Sequence, residues 1–581
     1  MSTPPPPPPP LPPNLPTHHS ITTFYNIRYD FLTSTSHHPL LYPQAALGAL
    51  CFLIVLLIDY RTSRARRLAS YAAFAFMAAW QVWIVGWCRA RNPAAAFGVG
   101  LVGCFGVFWG GGLVVLGDWS EGGFRRVERR RVGGEGGGGG VGVDGEAGVS
   151  GSGSGYGQGQ GHGQGYSGDY AVRQRLAAKQ GEEEEEEEEE STTTNNTPRQ
   201  KCGPLFWQPY PSSAPILDRL DWLIDLFISF RGVGWTWQSS QIPDPPNWVQ
   251  RQLRGDETSI PEEENQPSPP EPPLKISKTG IRRFHARRPL LQSCLLNLAL
   301  GYIALDGVKT LLTHDPYTWY GDHSLPPPTF LPAAIRASPV LTKSYRLLLC
   351  LCAINTALWS IFKLGPVFFA GILGPQRISL RGEPWMNPAD MFGDFTHVLD
   401  SGLAGWWGAW WHQTFRQAFQ VPGDRLVDFL GWERRSVKGR LVATWVAFFL
   451  SGCLHASGSY TQLGDTYPLR GQMAFFLLQA LGVTVQMGGG AVLVRAGVTR
   501  WVPRFVRRAG NLGVVVGWLY FTAPLLVDDF ARGGIWLFEP VPFSLFRGLG
   551  LGSEGDGWWC WGGGLVEWRS GEGWWDTGIA P

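Results

Sequence analysis

"LVATWVAFFLSGCLHASGS", residues 441–459, runs for 19 residues without a carboxylate, lysine or arginine. As a helix it extends about 29 Å, close to the roughly 30 Å of hydrocarbon in a bilayer. The stretch therefore predicts a transmembrane helix, and His455 lies well inside it. Arg440, fifteen residues earlier, marks the basic end of the segment, which puts the imidazole about 22 Å along the span. An ionisable side chain at that depth is costly unless it faces other helices or a wet cavity, so it is a functional candidate. Ser451 at i−4, Gly452 at i−3 and Ser459 at i+4 give the ring a small, polar helical face. The bland alternative is a neutral histidine bridging two helices by a hydrogen bond.

Outward from this segment the same texture repeats. Apolar runs occur at 43–60, 70–88, 93–117, 290–312, 345–374, 473–494 and 512–527, with one or two more possible around 400–411. The 93–117 run is glycine-rich, as suits close helix packing in lipid. The expected fold class is an all-α polytopic membrane protein of about 8–10 transmembrane helices. Its 28 tryptophans fit the same setting, because indole rings favour membrane interfaces.

The segments between these blocks are of another material. Residues 1–38 are Pro-rich and expected to be disordered, followed by three spans in 39–117. Residues 118–205 hold a glycine run, a Gly/Ser/Gln tract and nine consecutive glutamates, a composition unable to bury a core. Within 206–240, "LDRLDWLIDLFISFRGVGWTW" (217–237) has apolar residues at helical spacing with Asp218, Arg219, Asp221 and Asp225 between them. It is expected to be an amphipathic helix on the membrane surface. A Pro/Glu-rich linker covers 241–280, a membrane core 281–530, and a Gly/Trp-rich tail 531–581 has no assigned structure.

Charge gives an orientation. Arg61, Arg64, Arg66 and Arg67 follow the first span, Arg125–Arg131 the third, and Arg377–Arg440 lie between the fifth and the sixth. Alternation puts all three groups on the cytosolic side, and the two long linkers with them. Net charge is +2, which gives no footing for a nucleic-acid partner. The nine cysteines form no CxxC pair, so neither a zinc ribbon nor a disulfide framework is indicated. No HExxH, DxD or Gly-x-Ser-x-Gly signature occurs, and "GYIALDGVKT" (301–310) lacks the glycine that a phosphate loop has directly before Lys309.

A second histidine lies in "WWGAWWHQTFR" (406–416), among tryptophans and one turn before Arg416. His412 reads either as part of an interfacial aromatic anchor or, with His455, as lining one passage. An imidazole is the side chain best suited to take a hydroxyl proton near neutral pH.

"RGEPWMNPADMFGDFTHVLDSGLAGWWGAWWHQTFRQAF" (381–419) followed by "FFLSGCLHASG" (448–458) resembles the wax synthase domain of the membrane-bound O-acyltransferase superfamily. "RLDWLIDLFISFRGVGWTW" (219–237) is similar to the Arg-x-x-Trp … Arg-Gly-x-Gly-Trp segment of its fungal members. The resemblance covers about 210–240 and 380–460. It implies a helical chamber open to cytosol and bilayer, an endoplasmic reticulum address, and transfer of an acyl group from acyl-CoA, a co-substrate, to a lipophilic alcohol. No bound cofactor and no metal are implied. His455 matches the catalytic base and His412 the second catalytic position, with Trp411, Gln413 and Arg416 around it. Trp385 and Pro388 match the Trp and Pro ahead of the motif, and "GLAGWW" stands where the family has an Arg-containing segment. In the implied mechanism His455 takes the acceptor's proton, and His412 or Gln413 donates to the developing oxyanion. Ser451 and Ser459 flank the base, and Arg416 with the basic stretch 425–440 holds CoA phosphates. The alternatives at this level are a non-catalytic polytopic protein, such as a transporter or scaffold, and an inactive acyltransferase homologue.

Overall fold

A computed structural model describes residues 12, 17–60, 62–117, 123–130, 203–255, 274–562 and 566–581. Residues 129–205 separate as a unit of their own; the Gly/Glu-rich tract expected to be a flexible linker lies almost wholly outside the described residues, as do residues 256–273 of the Pro/Glu-rich one. The rest of the chain is a helical assembly. Its helices of ten or more residues are α1 (His18–Thr35), α2 (Leu47–Leu57), α3 (Ser63–Trp87), α4 (Pro93–Gly111), α5 (Ile216–Ile228), α6 (Arg287–Leu312), α7 (Pro339–Pro366), α8 (Thr396–Gly405), α9 (Arg416–Phe429), α10 (Val437–Thr461), α11 (Ala474–Arg495), α12 (Arg504–Thr522) and α13 (Pro524–Gly533).

Among the described residues six segments are long and apolar enough to cross a bilayer: 63–87, 93–116, 287–312, 339–382, 437–461 and 468–495. The bent pair α12–α13, with 41° between its halves, makes a seventh. The chain is therefore an all-α polytopic membrane protein. Two expected spans take other forms. The 43–60 run yields only the 11-residue α2, about 16 Å long, because it stops before Asp59, whose carboxylate pairs with Arg219 at 2.8 Å. The 400–411 run breaks at Gly402, where φ is +59°. A side chain there would run into Gln486, whose Oε1 accepts the Leu403 N–H at 2.7 Å. The chain then continues as a wide turn, 406–410.

Helix starts follow from local chemistry. Asn92 caps α4 by accepting from the Ala94 N–H at 2.9 Å with Pro93 at the first helical position, and Ser436 caps α10 by accepting from Gly439 at 3.0 Å. The α10 helix is the hub, packing on α4, α9, α11 and the 468–473 turn. Contact with α4 runs through small residues: a Cβ on Gly100 would strike the backbone of α10 at Ser457, and one on Gly458 the ring of Phe97. The helix meant to carry His455 is thus gripped by backbone-to-backbone contact.

Residues 18–35, expected to be disordered, form α1. Ile21, Phe24, Tyr25 and Tyr29 make one stripe, at i, i+3, i+4 and i+8, buried with Trp319, Leu463 and Leu537. Short polar residues between these positions dilute the stripe in the sequence. In the tail, which the sequence leaves unassigned, strand 578–580 pairs with 567–569, and Ile579 pairs with Tyr42.

Polar contacts sort the connections into two ends. At one, Arg28 meets Asp465 at 2.6 Å, Arg346 meets Asp315 at 2.8 Å, and the Tyr25 hydroxyl donates to the Arg532 carbonyl at 2.7 Å. At the other, Arg381 and Arg126 share Asp221 at 2.6 and 2.8 Å, and Arg508 meets Asp400 at 2.7 Å. The second group holds the connections richest in arginine, and no contact among these joins it to the first.

Candidate active site

Four elements converge on the two histidines. His455 projects from α10 and stacks on Phe476 of α11, ring centroids 4.5 Å apart and planes 24° from parallel. Phe97 of α4 closes the other side at 6.1 Å. His412 sits in the short connection between the 406–410 turn and α9, with Trp411 at 5.4 Å and Phe415 at 5.9 Å. A chain of rings links the two: Phe476 lies 6.2 Å from Trp407, and Trp407 5.7 Å from Trp411. The imidazoles are near enough to interact electrostatically.

Both rings are half-buried. Each Nδ1 is sealed from solvent with no hydrogen-bond partner, and neither ring has any hydrogen bond among the described residues. That leaves Nε2 as the nitrogen facing open space. Burial alone pushes the His412 imidazole down to about 4, so near neutral pH the ring is uncharged and offers one N–H and one lone pair. His455 thus makes no helix-bridging hydrogen bond, and His412 is packed against the rings of Trp411 and Phe415. Leaving a buried polar atom unpaired costs about 1–3 kcal/mol, and the open Nε2 atoms are the ones an external hydroxyl or carbonyl can reach.

The neighbouring candidates divide. Gln413 is fully committed: its Nε2 donates to the carbonyls of Trp407 at 2.8 Å and Trp411 at 2.7 Å, and its Oε1 accepts from Arg416 at 2.8 Å. It staples the wide turn that aims His412, and its amide is not free for an oxyanion. Arg416 also donates to the Gly408 carbonyl at 3.2 Å, so in this state its guanidinium closes the same turn. The Ser459 hydroxyl, expected beside His455, donates instead to Asp529 at 2.6 Å. Gln472 donates to the same carboxylate at 3.0 Å, tying the end of α10 to α13. Ser451 stays on the His455 face, half-buried and with no hydrogen bond to the ring. Trp385 and Pro388 belong to a separate place: Trp385 is 1% exposed beneath Arg283, whose guanidinium lies 5.4 Å from the ring, and the Pro388 carbonyl accepts from Arg231 at 3.3 Å. A cavity of about 340 Å³ lies on that side of Trp410, against Arg282, Asn355, Trp359, Asp390 and Phe392, and neither imidazole lines it.

Residues 231–235 support the site from outside. Gly232 and Gly234 take φ of +62° and +74°, and the Trp235 N–H closes a turn on the Gly232 carbonyl at 2.9 Å. This turn leaves Phe230 5.0 Å from Phe105, and Phe105 packs 4.6 Å from Phe415, the neighbour of His412. Phe97, Phe476, Trp407 and Asp529 were not singled out in the sequence. Of these only Asp529, and the Gln472 beside it, carried a signal: polar groups in apolar segments.

Residues 388–478, which contain both histidines, match the model of the membrane bound O-acyl transferase family. The match covers 91 of the chain's 581 residues. The chain's relatives include the acetyltransferase eriL of Hericium erinaceus, 29% identical over 33% of this chain and 48% of that protein. The acetyltransferase ple2 of Rhodocybe pseudopiperita is 27% identical over 58% and 74%, and the O-mevalon transferase yanI of Aspergillus niger 24% over 53% and 61%. The chain thus spans about half the length of eriL. No solved structure matches it.

Proposed function

We propose that this protein is an O-acyltransferase that moves an acyl group from acyl-CoA to the hydroxyl of a lipophilic acceptor within the bilayer. The observation that carries the reading is the pair of unpartnered imidazoles, within electrostatic reach of each other and walled by aromatic rings, inside the family-matched segment. In this mechanism the acceptor hydroxyl oxygen attacks the thioester carbonyl while His455 takes its proton. The tetrahedral intermediate is held by an N–H of His412, its carbonyl re-forms, and the carbon–sulfur bond breaks. The departing thiolate recovers the proton from His455, giving ester and free CoA. No acyl-enzyme is needed, since both substrates meet in one chamber and proximity lowers the barrier.

Two relatives are named acetyltransferases, so acetyl-CoA with a hydroxylated terpenoid-type metabolite stands ahead of long-chain acyl-CoA with a fatty alcohol. The arginine-rich end is assigned to the cytosol by the positive-inside rule, with the endoplasmic reticulum as the membrane. The test is mass spectrometry of products from membranes expressing the chain, offered acetyl- or long-chain acyl-CoA with each acceptor class. Ester formation with CoA release is expected from one pairing. No ester and no CoA release from any pairing, with the protein present at normal abundance, contradicts the proposal and favours a non-catalytic membrane protein.

A further inference from the structure

Apart from these histidines, a second group of chemistry-bearing side chains comes together from the two extremes of the chain. We propose that His18, His19 and Asp556 form a binding site for a divalent transition-metal ion, zinc above all, which clips α1 to the C-terminal tail.

The two Nε2 atoms lie 3.1 Å (His18) and 3.0 Å (His19) from one carboxylate oxygen, Asp556 Oδ1, and the three ligand atoms lie within 4.8 Å of one another. Zinc bonds of 2.0–2.1 Å in a tetrahedron set ligand atoms about 3.3 Å apart. Two of the three edges are therefore already within a few tenths of an ångström of the required length. The third, between the two Nε2 atoms, is no longer than 4.8 Å, and the half-exposed His19 side chain is the freer of the two to close it.

The surroundings hold the carboxylate for this use. Asp556 Oδ2 accepts the Ser553 N–H at 2.8 Å, and the Asp556 N–H closes a turn on the Ser553 carbonyl at 3.0 Å, so Oδ1 is the oxygen turned to the imidazoles. The Asp556 side chain is 3% exposed, yet its only ion-pair partners among the described residues are the two histidines. The nearby cations are spent elsewhere: Arg547 on Glu539 at 2.6 Å, and Lys309 on Glu539 at 3.5 Å and the Trp536 carbonyl at 2.6 Å. On the other side, Thr17 caps α1 by accepting from Ser20 at 3.2 Å, which fixes the turn bearing both rings. Two imidazoles and one carboxylate select zinc-like ions over magnesium or calcium, which take oxygen ligands.

The test uses the full-length protein purified in detergent, stripped with chelator and dialysed against micromolar zinc. Elemental analysis is expected to find one zinc per chain, with a rise in thermal midpoint that magnesium does not give. His19→Ala, at a half-exposed position, and Asp556→Asn should each weaken zinc binding at least about tenfold. Cobalt should give weak visible bands without a thiolate charge-transfer band. The proposal is overturned if the stripped protein takes up no zinc, if both variants bind it as the parent does, or if the cobalt spectrum reports cysteine ligands.

Discussion

Two polar clusters of this chain, one around Asp390 and one around the two histidines, are built by opposite rules. In one, each charged side chain has protein partners. Lys363, 0% exposed, donates to the Ala389 carbonyl at 2.7 Å and to Asp390 at 3.2 Å. Asp390 also pairs with Arg282 at 2.8 Å, and Arg283 donates to the Trp385 carbonyl at 2.7 Å. In the other, His412 and His455 have no hydrogen-bonding partner among the described residues, while the groups around them, Gln413 and Ser459, have given theirs to the backbone and to Asp529. The paired charges hold helices together, whereas the two imidazoles make no bond that holds the fold.

Substitutions should pull these behaviours apart. His455→Ala removes the proposed base and no protein hydrogen bond, so turnover should fall about 10²–10⁴-fold with membrane abundance unchanged. CoA release normalised to protein level reads this, and a parallel loss of abundance would place the ring with the framework. Asp390→Ala should do the reverse: Lys363 is left buried and unpaired, at about 3–5 kcal/mol. Abundance and thermal midpoint should drop, while activity per surviving molecule is retained. Wild-type thermal stability of that variant would dissolve the contrast. His412→Ala should lower turnover by about 10²-fold with little change in stability, because a donor to the oxyanion is more dispensable than the base. The smallest effect is expected for Trp385→Phe. Its Nε1 is buried without a partner, so the change keeps most of the ring packing and should shift stability by less than about 1.5 kcal/mol and turnover hardly at all. A large catalytic defect there would return Trp385 to the site.

Much of this was legible in the sequence. Long uncharged runs mark the spans, and arginine clusters group the connections at one end. A histidine deep in an apolar helix stands out whatever surrounds it. What was hidden depends on partners remote in the chain. Nothing near Ser459 reveals that its hydroxyl goes to Asp529, seventy residues on, rather than to the imidazole one turn away. Gln413 looks like a ligand-binding amide until the wide turn it staples is seen. Residues 18–35 read as disordered because a four-residue apolar stripe among Thr, Ser and His needs Trp319 and Leu537 to become a buried face. The 43–60 run reads as a span because length counts apolar residues and not the Asp59–Arg219 pair that ends the helix early.

The most direct measurement is a cryo-electron microscopy map of the protein in nanodiscs with a non-transferable thioether analogue of acyl-CoA. The expected map places the carbon standing for the thioester carbonyl between His412 and His455, within hydrogen-bonding reach of an acceptor oxygen that also touches His455 Nε2. Analogue density elsewhere, with both rings turned to lipid or sealed by side chains, would contradict the account.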